Sequence, residues 1–448
     1  MNYELFTNFA PKINEMKRII FFAISLLLFT ACHKNDDPAP DPTPDPSETE
    51  AQRTVLIYMS GENSLSYDPS EPGSFLADDL QEIIEGSYDL NSNQHLICFI
   101  DSVGILNYPH IIEVAGGKAK EIYRYDSEFY ASDPAKFREV LQYTFDKYPA
   151  KEYGLVLWGH GNGWIINNDT IPSKSYARAA TRAYGQDKGW DNSGSDRWMN
   201  ITQMAKALEG LPKLKYIFAD CCNMQSIEVG YELRNAADYF IGSPAEIPGE
   251  GAPYHKILPK LFSNSSTFYK DICDCYYDYI HDAYMSSTYT VNSGFSYIYG
   301  FSLPLSVFDL SKMDALANAT KELMQTFMPK YPNELNLNGH PFYFALAGDM
   351  IMYDMKSVIS QNAPEADYKK WLEVFNSAVP YQLISKRWMT EHNAIYNSFD
   401  WFPQNDDQWG CVNMFFPQSR YNSAYYHYND LIRYTQWYYA VNWPDYGW

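Results

Sequence analysis

Five short apolar segments along the chain predict buried strands of a parallel sheet. They cover residues 54–59, 95–100, 153–158, 216–219 and 239–242. Near-continuous apolar runs of this length, without alternation, are typical of strands that are covered on both faces. Segments with apolar residues at helical spacing separate them, as at 133–148. The pattern predicts an α/β fold, in which a mostly parallel sheet is flanked by helices.

Two of the predicted strands end in residues that can carry chemistry. The strand at 153–158 leads into His160 and Gly161, and the strand at 216–219 leads into Asp220, Cys221 and Cys222. In open α/β sheets, ligands bind at the carboxyl ends of the strands. A cysteine nucleophile needs a base, and a histidine between glycines leaves backbone N–H groups open to a substrate. We therefore expect a thiol–imidazole site, the alternative being an incidental histidine in a glycine-rich turn.

The segment 167–198, between these two strands, is polar, glycine-containing and basic. A loop longer than about 15 residues without periodicity is usually functional or disordered. The next apolar periodicity begins at Ile201 and predicts a helix that crosses back to the strand ending at Asp220.

The first 52 residues have the pattern of an export signal followed by a tether. Met16, Lys17 and Arg18 precede an apolar run that is too short to span a bilayer. It ends at Cys32 and resembles a bacterial lipoprotein cleavage site, so we expect residues 1–32 to be a lipoprotein signal peptide with Cys32 lipidated. Residues 33–52, rich in Pro and Asp, predict a disordered tether. Its acidic start resembles the surface-export signal of Bacteroidetes lipoproteins, the alternative being a lipoprotein that faces the periplasm.

Charge and cysteine usage exclude several classes of protein. The formal net charge of −21 argues against nucleic acid as a partner. The seven cysteines have no spacing typical of a zinc site, and their adjacent or near-adjacent pairs are poor disulfide candidates. We therefore predict no metal centre and no disulfide framework.

Longer strings of the sequence resemble one peptidase family. VLWGHGNGW, FADCCNMQSIEVGYEL and ADYFIGSPAEIPGEGAPY are similar to the clostripain-like cysteine peptidases, which are relatives of caspases, gingipains and legumain. TVLIYMSGENSL and GCVNMFFPQ strengthen the match, which covers most of residues 53–448. The resemblance implies a caspase-like catalytic domain at 53–260. It also implies a C-terminal helical and strand extension at 261–448 that packs on this domain.

The resemblance also implies a role for each site residue. His160 corresponds to the catalytic histidine, Cys222 to the nucleophile, and Asp220 to the carboxylate that receives a basic P1 side chain. The sequence departs from the family pattern at Cys221, where alanine is usual. The N–H groups of Gly161 and Cys222 would hold the oxyanion. A helix beginning near Gln225 is expected to favour the Cys222 thiolate, and a helix-capping carboxylate is the alternative role for Asp220.

The implied function is a cysteine endopeptidase that cleaves after Arg or Lys and acts as a lipid-anchored monomer on peptides or proteins. Self-cleavage in the 167–198 loop is also implied, with the following basic residues as sites: Lys174, Arg178, Arg182 and Lys188. No cofactor is expected; calcium stimulates the family's namesake, and this point stays open. One alternative is a surface lipoprotein that binds peptides or glycans after its catalytic site has decayed. A second alternative is acyl transfer through the same thioester.

Overall fold

The computed structural model describes most of the chain from residue 50 onward. The described ranges are 50–66, 73–104, 108–166, 183–189, 197–286, 303–346, 349–385, 388, 409–422 and 427–448. The predicted signal peptide, Cys32 and nearly all of the predicted tether lie outside these ranges, as do Lys174, Arg178 and Arg182.

The strands follow the apolar segments of the sequence and extend them by one to three residues at most ends. Their bounds are β1 Ala51–Gly61, β2 Gln94–Ser102, β3 His110–Ala115, β4 Lys118–Arg124, β5 Ala150–Trp158, β6 Tyr184–Asp187, β7 Arg197–Met199, β8 Leu214–Asp220, β9 Ala237–Gly242, β10 Leu305–Asp309, β11 Phe342–Leu346, β12 Asp349–Asp354, β13 Tyr381–Leu383 and β14 Asn413–Met414.

The helices fall mostly between the strands. Their bounds are α1 Phe75–Gly86, α2 Pro134–Lys147, α3 Ile201–Leu208, α4 Ile227–Glu232, α5 Tyr254–Leu261, α6 Phe268–Ser286, α7 Met313–Phe327, α8 Met355–Asn362, α9 Glu365–Ala378, α10 Tyr428–Leu431 and α11 Gln436–Ala440. None of the helices in the described ranges is both long enough and apolar enough to cross a bilayer.

Helix boundaries coincide with local capping signals. The Asp133 side chain accepts hydrogen bonds from the N–H groups of Ala135 and Lys136 at the start of α2, where Pro134 occupies the first turn. At the start of α3, Asn200 and Gln203 form a reciprocal capping box.

One nine-stranded sheet organises the fold, in the order β13-β10-β9-β8-β5-β1-β2-β3-β4. The five central strands, from β9 to β2, are parallel, and antiparallel strands close both sides. Helices cover both faces. This confirms the predicted α/β class with a mostly parallel sheet flanked by helices.

Alternate residues of β1 face two separate apolar layers. Leu56 and Tyr58 belong to the layer that contains α2, α3, α4 and α7. Val55, Ile57 and Met59 belong to the layer that contains α1, α5 and α6. Because both faces are buried, the strand must be apolar at every position, and this is the origin of the run seen in the sequence.

The C-terminal part of the chain is built into the same sheet. Strand β10 pairs with β9, and β13 pairs with β10, so strands from both sides of residue 260 share one hydrogen-bonded ladder. A second sheet, β11-β12-β14, lies beyond it. The domain boundary placed at residue 260 stays a prediction.

The apolar segment at 410–417 forms only a short strand. Within it, Asn413–Met414 pairs in a sheet. Cys411 has a φ of 49°, in the left-handed region, and this conformation interrupts the extended backbone before Asn413.

Candidate active site

The predicted histidine and cysteine follow neighbouring parallel strands at the same level of the sheet. Trp158, the last residue of β5, lies opposite Asp220, the last residue of β8. His160 and Cys222 each come two residues later. Since paired strands lie about 4.8 Å apart, the register brings both residues to one edge of the sheet. This edge faces the carboxyl end of β1 as well, because β1 pairs with β5.

The imidazole of His160 is half-buried between groups from two other segments. Its Nε2 lies 3.2 Å from the hydroxyl oxygen of Ser64, in the loop that follows β1. The indole of Trp198, on β7, lies 6.5 Å away between ring centroids. The carbonyl of His160 accepts a hydrogen bond from the N–H of Gly185 at 2.8 Å. The histidine is therefore held from its backbone and contacted on its ring.

The thiol of Cys222 is half-buried under the loop that follows β9. The N–H of Ile247 donates to its Sγ at 3.4 Å. Burial and the nearby negative charge of Glu246 raise the pKa of Cys222 to about 12. The resting thiol is therefore neutral at physiological pH.

The neighbouring thiol of Cys221 is directed elsewhere. Cys221 is fully buried and donates a hydrogen bond to the carbonyl of Leu157 at 2.9 Å. Burial is the main cause that raises its pKa well above the usual range. Of the doubled cysteines, Cys222 is the one that lies near the site surface.

Only glycine fits between the two strand ends. A Cβ atom on Gly161 would stand 2.8 Å from the carbonyl oxygen of Cys222 and 2.9 Å from Cβ of Cys221. The residues on either side of Gly161 pair with the segment at 183–185: the N–H of Asn162 donates to the carbonyl of Ala183, and the carbonyl of His160 accepts from Gly185. These two hydrogen bonds do not involve the N–H of Gly161, which is the donor that the sequence predicts for an oxyanion.

Asp220 lies beneath the site and accepts three hydrogen bonds. The donors are the N–H of Ala252 at 3.1 Å and the hydroxyls of Tyr254 and Tyr276 at 2.8 and 2.9 Å. Burial raises the pKa of this carboxyl. Helix α4 begins well beyond Asp220, with Ser226 at its N-cap, so Asp220 does not cap the helix that follows its own strand.

A second carboxylate, not identified from the sequence, lies next to Asp220. Asp79 of α1 is buried and accepts a hydrogen bond from the indole N–H of Trp158 at 2.6 Å. Its pKa is raised well above the usual range by burial and by the charge of Asp220. A Cβ on Gly251, whose φ is +62°, would lie 3.0 Å from an oxygen of Asp220 and 3.2 Å from one of Asp79. Gly251 thus faces two acidic groups at once.

The structure does not place a helix N-terminus next to Cys222, so the predicted stabilisation of its thiolate by a helix is wrong. The sequence predicted a helix from about Gln225, whose N-terminus would favour the thiolate. Helix α4 begins at Ile227 and has six residues. Before it, the N–H groups of Asn223 and Gln225 donate to the carbonyls of Ala245 and Ser243. These bonds hold the segment between Cys222 and α4 outside a helix, and burial is the main cause that raises the pKa of the thiol.

A model of the clostripain family matches residues 57–448. The chain belongs to the clostripain family. This match confirms the family that the sequence motifs indicated. It also confirms the prediction of a cysteine peptidase, because the members of this family are cysteine peptidases.

Solved relatives in the clostripain family share the whole described fold. A secreted C11 cysteine protease from Bacteroides thetaiotaomicron, in complex with an irreversible peptide inhibitor, is 29% identical with a TM-score of 0.69, and the match covers 88% of this chain and 100% of that one. An inactive zymogen C11 protease from Parabacteroides distasonis is 25% identical with a TM-score of 0.68, covering 88% and 99%. Clostripain from Hathewaya histolytica is 24% identical over 144 residues, which are 31% of this chain and 26% of clostripain. The chain therefore matches about a quarter of that relative's length.

The C-terminal part of this clostripain-family chain braces the segment after Cys222. The N–H of Asn413 donates to the carbonyl of Gln225 at 3.1 Å, and its side-chain amide donates to the carbonyl of Pro244 at 2.9 Å. The N–H of Phe415 donates to the buried carboxylate of Glu228 at 2.9 Å. One C-terminal strand thus fixes both loops that surround the thiol.

Several site residues were missed because they come from distant parts of the chain. Ser64 and Glu246 lie within strings that resemble the family, but no role was predicted for either, and none was predicted for Asp79 or Trp198. For Asp79, the signal available in the sequence was a charged residue at a position that helical spacing places among the apolar residues of α1. Among the described residues, a group of carboxylates that could hold a metal ion also forms, and it contains Glu62, Asp101 and Glu128.

The buried carboxyl of Glu228 predicts a pH-dependent stability. Burial raises its pKa from 4.5 to about 7, against the lowering effect of donors from Ser226 and Phe415. The protonated form is favoured in the fold, so the stabilisation is complete below pH 4.5 and is lost as pH rises through 7. Glu228→Gln should therefore gain about 3 kcal/mol relative to the parent between pH 5 and pH 8. Urea unfolding of both proteins at these two pH values measures the gain, and an equal difference at both values would contradict it.

Proposed function

We propose that the protein is a cysteine endopeptidase in which Cys222 is the nucleophile and His160 the general acid and base. The observation that carries this proposal is the shared register of β5 and β8, which sets both residues at one sheet edge. The buried hydrogen bond of Cys221 to Leu157 supports Cys222 as the reacting thiol. Peptides or proteins are the substrates of this family, and we propose that the protein acts on them as a monomer.

The chemistry begins with a neutral thiol. Because the pKa of Cys222 is raised to about 12, the thiol gives up its proton during the attack rather than before it. His160 takes this proton, and the sulfur attacks the scissile carbonyl to form a C–S bond. The imidazolium then protonates the leaving amine as the C–N bond breaks. A water molecule, deprotonated by His160, hydrolyses the thioester and restores the thiol.

The negative oxygen of each tetrahedral intermediate needs fixed donors. We propose the N–H groups of Gly161 and Cys222, the first of which lies beside the cysteine backbone with no room for a side chain. A donor of this kind is worth on the order of 10²–10³ in rate. Ser64 orients the imidazole through the contact at Nε2.

We further propose that the pocket selects Arg or Lys at P1 through Asp220 and Asp79 together. Two buried carboxylates that share the space in front of Gly251 repel each other, and both pKa values are raised by burial. A guanidinium or ammonium group would relieve this repulsion and donate charge-assisted hydrogen bonds to the carboxylates. The three donors already bound to Asp220 hold its carboxylate in place.

Activation and location are part of the same proposal. The segment 167–188, between His160 and Cys222, carries four basic residues, and a relative has been solved as an inactive zymogen, so we propose self-cleavage in the 167–198 loop. Of the four, Lys188 lies in the described ranges, where its N–H donates to the carbonyl of Glu62 at 2.9 Å. We propose that lipidated Cys32 anchors the protein to the outer membrane with the catalytic part at the cell surface.

Substituting Cys221 and Cys222 one at a time distinguishes the roles of the two thiols. Cys222→Ala should lower kcat/KM on Arg- or Lys-ended amide reporters by at least about 10³-fold and leave the chain uncut, because the nucleophile is lost. Cys221→Ala should retain activity within about tenfold, since its thiol contacts a buried carbonyl. Reporter kinetics and N-terminal sequencing measure both effects.

Three results would redirect this assignment. Loss of activity in Cys221→Ala with retention in Cys222→Ala would exchange the roles of the thiols. A parent protein that turns over no reporter, after reduction and with or without calcium, would favour the binding lipoprotein. Product formed with added amines in preference to water would indicate acyl transfer.

Removal of the pocket charges tests the P1 preference. Asp220→Asn should lower kcat/KM for Arg and Lys reporters on the order of 10²-fold, while reporters with a neutral P1 residue change little. Asp79→Asn should act in the same direction with a smaller effect, because it lies beyond Asp220 on α1. Asp78→Asn, the exposed neighbour on the same helix, is the matched control and should leave both reporters unchanged. Equal losses on basic and neutral reporters would contradict a charge-selective pocket.

Lipidation has a direct chemical readout. Mass spectrometry of protein recovered from membranes should find a diacylated or triacylated N-terminal peptide that begins at Cys32. Cys32→Ser should move the protein to the soluble fraction. An unmodified peptide that spans residues 16–40, found in membrane-bound protein, would exclude a lipoprotein.

A further inference from the structure

A pair of asparagine side chains joins the two loops that carry His160 and Cys222. Asn162 comes two residues after His160, and Asn223 comes directly after Cys222. The Nδ2 of Asn223 donates a hydrogen bond to Oδ1 of Asn162 at 3.3 Å. Since the two asparagines are 61 positions apart in the sequence, this bond is a tertiary contact between the loop after β5 and the loop after β8.

The backbones of these two loops lie in close contact on both sides of Asn162. A Cβ atom on Gly163, whose φ is +63°, would stand 2.7 Å from the carbonyl oxygen of Asn223. A Cβ on Gly161 would stand 2.8 Å from the carbonyl oxygen of Cys222. Positions 161 and 163 therefore have no room for a side chain, and the side-chain hydrogen bond to Asn223 comes from the residue between them.

Asn223 occupies a backbone position that favours glycine. Its φ is 62°, in the left-handed region, which a residue with a Cβ adopts at a cost and glycine adopts freely. Its side chain is fully buried, and within the described part of the chain its Oδ1 has no hydrogen-bond partner. Glycine would avoid both the strain and the buried polar atom. What glycine would lose is the hydrogen bond from Nδ2 to Asn162.

Backbone hydrogen bonds hold each loop on its outer side. The N–H of Asn162 donates to the carbonyl of Ala183 at 2.7 Å, just before β6. The N–H of Asn223 donates to the carbonyl of Ala245 at 2.8 Å, after β9. Each loop is thus tied by its backbone to a different outer segment, and the bond between the two asparagine side chains ties the loops to each other.

We propose that Asn162 and Asn223 are positioning residues that fix the distance between the imidazole of His160 and the thiol of Cys222. This inference rests on the proposed roles of His160 and Cys222. Proton transfer between a base and a nucleophile requires hydrogen-bond distance, and a displacement of about 1 Å can lower the rate about 10²-fold. Because Asn223 is buried, the pair acts on the reaction through the adjacent reactive residues and not through contact with the substrate.

A double-mutant cycle on kcat tests the pair. Asn162→Ala and Asn223→Gly each remove the side-chain bond, and glycine adopts the left-handed backbone at position 223 without strain. We expect either variant to lower kcat on an Arg-ended amide reporter about 10- to 100-fold, with KM changed less than about threefold. The double variant should lose little more than the more impaired single variant, because both substitutions remove the same bond.

Alkylation of Cys222 by iodoacetamide gives a second readout that does not require peptidase turnover. Its rate is measured at about pH 7 by mass mapping of the peptide that contains Cys222. An imidazole near the thiol takes its proton, so the parent should react at least about tenfold faster than His160→Ala. Asn162→Ala and Asn223→Gly should react at least about fivefold more slowly than the parent, because the imidazole is displaced from the thiol.

Asn429→Ala is the matched control for the loss of a buried asparagine. The Nδ2 of Asn429 donates to Oδ1 of Asn422 and to the carbonyl of Gln418, both at 2.8 Å, in the C-terminal part of the chain. This variant should lower Tm but keep the parent kcat and the parent alkylation rate. If Asn223→Gly does not fold, Asn162→Ala, at a half-buried position, carries both tests.

Parent values of kcat and of the alkylation rate in both asparagine variants would overturn the proposal. A rise in KM at unchanged kcat would also overturn it, since the pair would then act in substrate binding. Losses that multiply in the double variant would show that the two side chains act independently, against a shared bond. A parent that alkylates as proposed but turns over no reporter would contradict the proposed peptidase alone, because the alkylation rates still decide the role of the pair.

Discussion

The register between β5 and β8 is the constraint on which the candidate site depends. The two strands pair in parallel, with Trp158 opposite Asp220, and the polar residues follow at equal distances beyond the ladder. A shift of one residue would turn every side chain of one strand to the other face of the sheet. Because both faces of the sheet are covered by closely packed apolar layers, such a shift would place every side chain in a space shaped for another and create clashes and cavities in both layers. The same burial that makes these strands apolar therefore fixes the position of the reactive groups.

The remainder of the molecule holds the segments that leave the sheet. The loop after β8 does not enter a helix at once but pairs with the backbone that follows β9, and Asn413 joins both. The loop after β1 is joined to β6 through Asn63 and Gln186. The C-terminal strands β10 and β13 extend the sheet next to β9. The candidate site is thus a junction of elements from both ends of the described chain.

Apolar periodicity was sufficient to predict the central strands, the helices α2 and α3 and the edge of the sheet on which His160 and Cys222 lie. Those features depend on residues that are close in sequence. The start of α4 at Ile227 was not predictable, because the bonds from Asn223 and Gln225 to the segment after β9 are long-range. Asp79 and the carboxylates at 62, 101 and 128 likewise come from separate segments, and no local pattern in one sequence indicates that they meet. The choice between the two adjacent cysteines could be predicted only in part. The motif spacing favoured Cys222 as the nucleophile, and the structure adds the physical reason that the Cys221 thiol donates to the buried carbonyl of Leu157.

The strand order of the central sheet has a consequence for a chain that is cleaved between β5 and β6. Residues 167–182 connect β5 to β6, and the pieces on either side of them contribute adjacent strands, β5 and β8, to one ladder. The strands β1, β2 and β5 belong to the first piece, and β8, β9 and β10 belong to the second. A nick in that connection would leave two polypeptides joined by a shared core, which would migrate together in a native gel and come apart only in denaturant.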